Sequence, residues 1–159
     1  MDESRVPLTP EGFARLQEDL KRWKEEMPII IKAIGEARDL GDLSENAEYH
    51  SARERQGLID ANIKHLESLI ARAEVIDPSR FRGDKRIRFG ATVTIFDEDR
   101  DEEIVYRIVG DAEADIDRNM ISVNAPLGRA LIGKEDGDDV KFKTPRGERR
   151  LSIVAVEYV

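Results

Sequence analysis

Apolar residues at 13, 16, 20, 23, 27, 30, 34 and 37 (Phe, Leu, Leu, Trp, Met, Ile, Ile, Ala) step alternately by three and four. The stepping resumes at 49, 52, 56, 59, 63, 66, 70 and 73 (Tyr, Ala, Gln, Ile, Ile, Leu, Ile, Ala). A three-four alternation keeps one stripe on one face of a helix and is the seam of a coiled coil. Two such seams joined by a short turn containing Gly41 predict an antiparallel helical hairpin with that turn at its far end. Arms of about thirty residues, rising ~1.5 Å each, make the hairpin roughly 45 Å long. Thr9-Pro10-Glu11-Gly12 supplies an N-cap, a first-turn proline and a first-turn acid, so helix one is expected to run from there to about Asp39. Residues 1–9 form its lead-in. Helix two is expected from about Ser44 to Glu74, ended by Val75-Ile76-Asp77-Pro78-Ser79. Pro28 lies off the seam inside helix one and is expected to kink or loosen it, because it lacks an N–H and clashes with the preceding turn.

From residue 81 the period shortens. Thr92–Phe96 and Ile104–Val109 are strand-like across a polar turn through Asp97–Glu103, and Met120–Val123 is a third strand. Pro126–Gly133 reads as a short helix, and Asp139–Lys143 with Arg149–Tyr158 as a last hairpin across Thr144-Pro145-Arg146-Gly147. Helices followed by strands predict an α+β chain. The expected domains are 1–77, a coiled-coil finger with an acidic tip at 41–48, and 78–159, a small antiparallel β-sheet domain with one short helix.

Charge narrows the partners. The 159 residues carry net charge −8, with 11 Lys/Arg against 17 Asp/Glu in 1–77 and 15 against 17 in 78–159. Neither half is basic, which excludes a protein that wraps nucleic acid electrostatically. There is no cysteine, hence no disulfide framework and no thiolate metal site. No signal-type apolar run opens the chain and no stretch approaches the ~20 apolar residues of a membrane span, so a soluble, cytoplasmic protein with no membrane partner is expected. A monomer is expected too, independently of these patterns.

The candidate chemistry sits at the tip, Gly41-Asp42-Leu43-Ser44-Glu45-Asn46-Ala47-Glu48-Tyr49-His50. Asp42 and Glu45 are spaced i, i+3 where a helix is about to start. That spacing serves a capping box, with both carboxylates on free N–H groups, and this is the commoner reason for it. It also suits two hard oxygen ligands for Mg²⁺, an ion that takes one or two protein carboxylates and fills its octahedron from water or substrate phosphate. Arg38, Arg53 and Arg55 lie just behind. They are either surface cations pairing with Asp39, Glu48 or Glu54, or a small cluster for nucleic-acid phosphate. His50 and His65 are too far apart to form a metal pair, and Trp23 belongs to the seam. Asp97–Glu102 resembles the start of a calcium loop but has Glu102 where Gly is required and Ile108 where the closing Glu belongs, so it reads as a solvated hairpin turn.

The tip, with Ala33–Arg38 before it and Ala52-Arg53-Glu54-Arg55-Gln56 after it, resembles the bacterial Gre transcript cleavage factors, and among them the GreA-like branch. Phe89–Val93, Tyr106–Asp111, Glu113-Ala114-Asp115, Ile121–Asn124 and Leu131–Lys134 agree, so the resemblance covers nearly the whole chain. It implies that the second domain is FKBP-like and docks on RNA polymerase beside the secondary channel, while the finger enters that channel. Asp42 and Glu45 would then be the catalytic pair, holding a Mg²⁺ shared with polymerase during two-metal hydrolysis of backtracked RNA. Arg38 and Arg53, with Arg55 nearby, would hold the extruded RNA 3′ end. The protein would stimulate hydrolysis by polymerase and not be an enzyme itself. Ser122–Lys134 is the candidate polymerase contact. The rivals are an inhibitory secondary-channel regulator without cleavage activity, a prolyl isomerase and a plain coiled-coil adaptor. Against the isomerase, the second domain has no Trp and its aromatics fall in strand patterns that need core residues.

Overall fold

A computed structural model describes residues 4–42 and 45–159. Leu43 and Ser44, which the predicted tip and the predicted start of helix two include, lie outside the described residues, as do residues 1–3. The chain divides into two compact units, one built from Phe13–Ala73 and the other from Arg5–Gly12 with Glu74–Val159. The expected boundary at 77/78 thus stands beside an observed division at 73/74, and residues 5–12 group with the C-terminal part.

The first unit is the helical hairpin. Helix α1 spans Pro10–Arg38 and α2 spans Ala47–Ala71. Every predicted seam position is buried or half-buried, with Leu16, Ile34 and Ala37 on α1 and Ile59 and Leu66 on α2 the most enclosed. The helices run antiparallel. Asn46 at the start of α2 reaches Ala37 near the end of α1, and Arg55 further along α2 reaches Glu26. Helix α1 continues without a break through Pro28. The proline is exposed, off the buried seam.

The second unit holds the strands. Val6–Leu8 (β1) and Ala73–Val75 (β2) form a two-stranded ribbon. Five further strands, Thr92–Asp97 (β3), Glu102–Val109 (β4), Met120–Ser122 (β5), Asp139–Thr144 (β6) and Gly147–Glu157 (β7), form a sheet in the order β5-β4-β3-β7-β6. The three pairings β4-β3, β3-β7 and β7-β6 are antiparallel, as expected. β5 instead lies parallel to β4, so the sheet is mixed at one edge. The ten residues between those strands, which include a 3-10 turn at Ile116–Arg118, carry the chain back to make that possible.

Strict alternation along β3 puts Val93, Ile95 and Asp97 on the covered face, where Ile108, Leu151, Ile153 and Val140 meet them. Helix α3 (Pro126–Leu131) closes this core with Leu131. The hairpin turn at residues 98–101 is exposed as expected, but Asp97, the last residue of β3, is not part of that solvated stretch. It is 1% exposed and accepts from the Arg149 guanidinium and from the amides of Asp99 (3.0 Å) and Arg100 (3.2 Å). Burial pushes its pKa up, but those three donors together outweigh it and hold the carboxyl below its ordinary value.

A second buried carboxylate anchors the first turn of α1. Glu113 accepts from the Thr9 amide at 2.7 Å and from the Thr9 hydroxyl, while that hydroxyl accepts from the Gly12 amide at 3.1 Å. Thr9 is therefore the N-cap the sequence predicts, with a long-range partner that local pattern does not disclose. Gly12 leaves room for this contact, because a Cβ at that position would overlap the Glu113 carboxyl and push it from its hydrogen bonds to Thr9.

Candidate functional site

Helix α1 ends at Arg38, and the backbone turns through Leu40 and Gly41, whose φ of 141° suits glycine. Helix α2 starts at Ala47 with Asn46 as its N-cap: the Asn46 side-chain oxygen accepts from the Tyr49 amide at 3.0 Å. Asp42 and Glu45 precede the helix and do not occupy its cap position. The N-cap of α2 is Asn46. Asn46 uses its other end as well, its amide nitrogen donating to the Ala37 carbonyl at 2.6 Å. One side chain therefore spans from the last turn of α1 to the first turn of α2.

Asp42 and Glu45 are exposed, and both line an open depression of about 460 Å³ together with Gly41, Asn46, Ala47 and Glu48. Among the described residues no three His, Cys, Asp or Glu side chains are grouped as a metal site. Two exposed carboxylates on one depression fit a divalent cation that takes the rest of its ligands from elsewhere.

The cations are distributed unevenly. Arg38, the last residue of α1, is exposed and makes no ion pair with a described residue. Arg53 is exposed and donates to Gln56 at 3.2 Å. Arg55 turns across to α1: its Nε and Nη2 reach Glu26 at 2.7 and 2.6 Å, and its guanidinium lies 5.2 Å from the Trp23 ring centre. None of the three lines the depression that holds the acids. Tyr49 is half-buried and packs edge-on against His50 at 5.6 Å.

The candidate contact patch Ser122–Lys134 covers the end of β5 and all of α3. Asp111 joins it, accepting from the Ser122 hydroxyl and from the Asn124 amide at 3.0 Å. Those hydrogen bonds, Ser122 foremost, hold the Asp111 carboxyl below its ordinary pKa. Gly128 packs so closely on β5 that a Cβ would collide with the Ser122 carbonyl. Asn124, Pro126, Arg129 and Lys134 remain exposed around this knot, and Ile116 beside it is 70% exposed. Of the strand aromatics, Tyr158 is in the core and Tyr106 and Phe142 pack against it.

Asn46 and Glu113 are the functional candidates that sequence reasoning passed over. For Asn46 the available signal was an N-cap residue directly before an uninterrupted helical run. For Glu113 the sequence offered only its place in a family-like segment.

Comparison with known proteins covers both units. Residues 6–75 match the family model "Transcription elongation factor, N-terminal", and residues 82–158 match "Transcription elongation factor, GreA/GreB, C-term". The transcription elongation factor GreA of Cereibacter sphaeroides is 54% identical over 156 residues, covering 98% of this chain and 99% of the relative. That of Brucella canis is 54% identical over 157 residues, with the same coverage of each. A solved transcription elongation factor GreA/GreB from Nitrosomonas europaea is 26% identical, covers 97% of this chain and 100% of its own, and has a TM-score of 0.43. No helix of the described residues is long and apolar enough to cross a membrane.

Proposed function

The chain belongs to the GreA/GreB family of transcription elongation factors, and from that premise we propose how its hairpin works on bacterial RNA polymerase. It is an elongation factor that stimulates transcript cleavage and is not itself the hydrolase. When polymerase has slid backward and the RNA 3′ end is extruded, the hairpin enters the secondary channel and brings Asp42 and Glu45 to the scissile phosphate. The observation that carries this reading is the pair of exposed carboxylates lining one open depression at the turn while Asn46 occupies the cap position.

Asp42 and Glu45 would hold a magnesium ion, which would supply charge neutralisation and an activated water for hydrolysis. The chain contributes ligand oxygens and their orientation. With no three acids placed to hold a metal ion among the described residues, the isolated protein binds Mg²⁺ weakly, in the millimolar range or worse. Arg38 and Arg53 have no acidic partner among the described residues and give the extruded RNA its phosphate contacts. Arg55 can join them only by leaving Glu26. The acidic net charge is compatible with this, because the principal partner is a protein and RNA is touched at one small place. The patch from Ser122 to Lys134, with Asp111, is the docking surface on polymerase. The factor acts as a monomer in the cytoplasm.

The test is a backtracked polymerase complex with labelled RNA, incubated with Mg²⁺ with and without this protein. Short 3′ fragments and a shortened, extendable RNA only in its presence are expected. Competition for the channel without any fragments would make it the inhibitory regulator instead.

A further inference from the structure

We propose that Asn46 is the positioning residue for the two tip carboxylates, and that its role is to hold the end of α1 against the start of α2 rather than merely to cap a helix. The inference rests on the cleavage reading above and deepens it. Asn, Asp and Ser cap helices about equally well. Capping uses only a side-chain oxygen, which here accepts from Tyr49 at 3.0 Å. The remaining half of the side chain donates to the Ala37 carbonyl at 2.6 Å. Among the side chains that commonly cap helices, only the Asn amide has an acceptor and a donor on separate atoms a fixed distance apart. An ionised Asp would set a carboxylate against that carbonyl, and a Ser hydroxyl is too short to hold both ends.

The consequence falls on the acids. Asp42 and Glu45 sit in the connection between Ala37 and Tyr49, and Asn46 lines the same depression as they do. The Asn46 carbonyl also accepts from the His50 amide at 3.1 Å, so its backbone is committed to α2 while its side chain grips α1. With that clamp closed, the connection starts and ends at fixed points. With it open, the carboxylates ride on a wider gap, and displacement by about 1 Å is enough to cost on the order of 100-fold in a positioned reaction.

Two variants separate clamp from cap: Asn46→Ser and Asn46→Asp both keep a capping oxygen and both lose the bridge. Three measurements are made on each. Thermal unfolding is expected to shift by no more than about 5 °C, because the cap is retained. Spin labels at exposed Glu36 and Ser51, introduced as cysteines into a chain with none of its own, are expected to give a broadened or lengthened distance distribution. In the cleavage assay, the rate at saturating factor is expected to fall roughly 10- to 100-fold with a raised Mg²⁺ requirement, while the factor concentration giving half effect stays within about twofold. Wild-type label distances together with wild-type cleavage in both variants would overturn the clamp. Unfolding far below wild type in both, with the cap retained, would make the bridge a general stabiliser of the hairpin rather than a positioning device for the acids, and would overturn the proposal too. Absence of cleavage with the unsubstituted protein would sink the functional reading, and the label distances would still decide whether the bridge exists.

Discussion

Arg149→Met is the sharpest test of how the sheet unit is held together. The substitution keeps most of the side-chain length and deletes the cation that faces Asp97, whose own side chain is 1% exposed. Removing one partner of a fully buried pair costs about 3–5 kcal/mol, because a charge is left without its counterion. Two features lower that figure here: the amides of Asp99 and Arg100 still donate to Asp97, and the Arg149 side chain is 29% exposed, so part of its interaction is screened. A loss of about 2–3 kcal/mol follows. Native-state amide exchange of the slow core amides in β3 and β7 would then quicken by roughly 30- to 150-fold at neutral pH. The pH dependence gives a second handle. In the wild type the Asp97 carboxyl is held below its ordinary value, so it contributes stability above about pH 4 that is lost as pH falls through its folded pKa. In the variant, burial acts without the cation, the folded pKa rises, and acid neutralises the stranded charge. The gap between the two proteins should therefore be widest near pH 7 and narrow below about pH 4. A gap that is small at pH 7, or that widens in acid, would refute this reasoning.

Other consequences are simpler. Gly110→Ala drives a Cβ into the Pro7 backbone carbonyl, which cannot yield as a flexible side chain would, so a loss of about 1–3 kcal/mol by urea unfolding is expected. Gly35→Ala and Gly57→Ala meet nothing within 4 Å on exposed helix interiors and should stabilise the hairpin by about 0.5–1 kcal/mol each. Arg53→Ala should raise the factor concentration needed for cleavage of RNA extruded by several nucleotides. Arg55→Met, which loses the Glu26 pair and the Trp23 contact, should cost at most about 1 kcal/mol of hairpin stability and leave cleavage closer to wild type than Arg53→Ala does.

Much of the fold was legible because its determinants are local and repeat. The seam from Phe13 to Ala37 and from Tyr49 to Ile70 is written seven residues at a time, and β3 alternates without exception. β1 and β2 were hidden for the opposite reason. Three residues give no period, and Ala73 also completes the helical stepping, so only its ribbon partner reveals it as strand. The direction of β5 depends on where the chain returns after β4, which no pattern within Met120–Ser122 encodes. Asp97 looked solvated because it begins an acidic run, and the Arg149 that buries it is 52 residues away. At the tip, the acids and arginines were visible as residue types at a turn. Their division of labour was not, because whether Asp42 or Asn46 takes the cap position is decided by where α2 begins, and Arg55 is drawn off by Glu26, 29 residues away.

The most direct measurement is Mg²⁺-dependent RNA cleavage in a backtracked complex with Asp42→Asn, Glu45→Gln and the double variant, each first shown to compete for polymerase and to melt like the parent. Because Asn46 caps α2, neutralising the acids should leave the hairpin folded. The account predicts a fall on the order of 100-fold for each variant, partly restored at high Mg²⁺ for the single ones. Cleavage at the parental rate by all three, at limiting Mg²⁺, would contradict it.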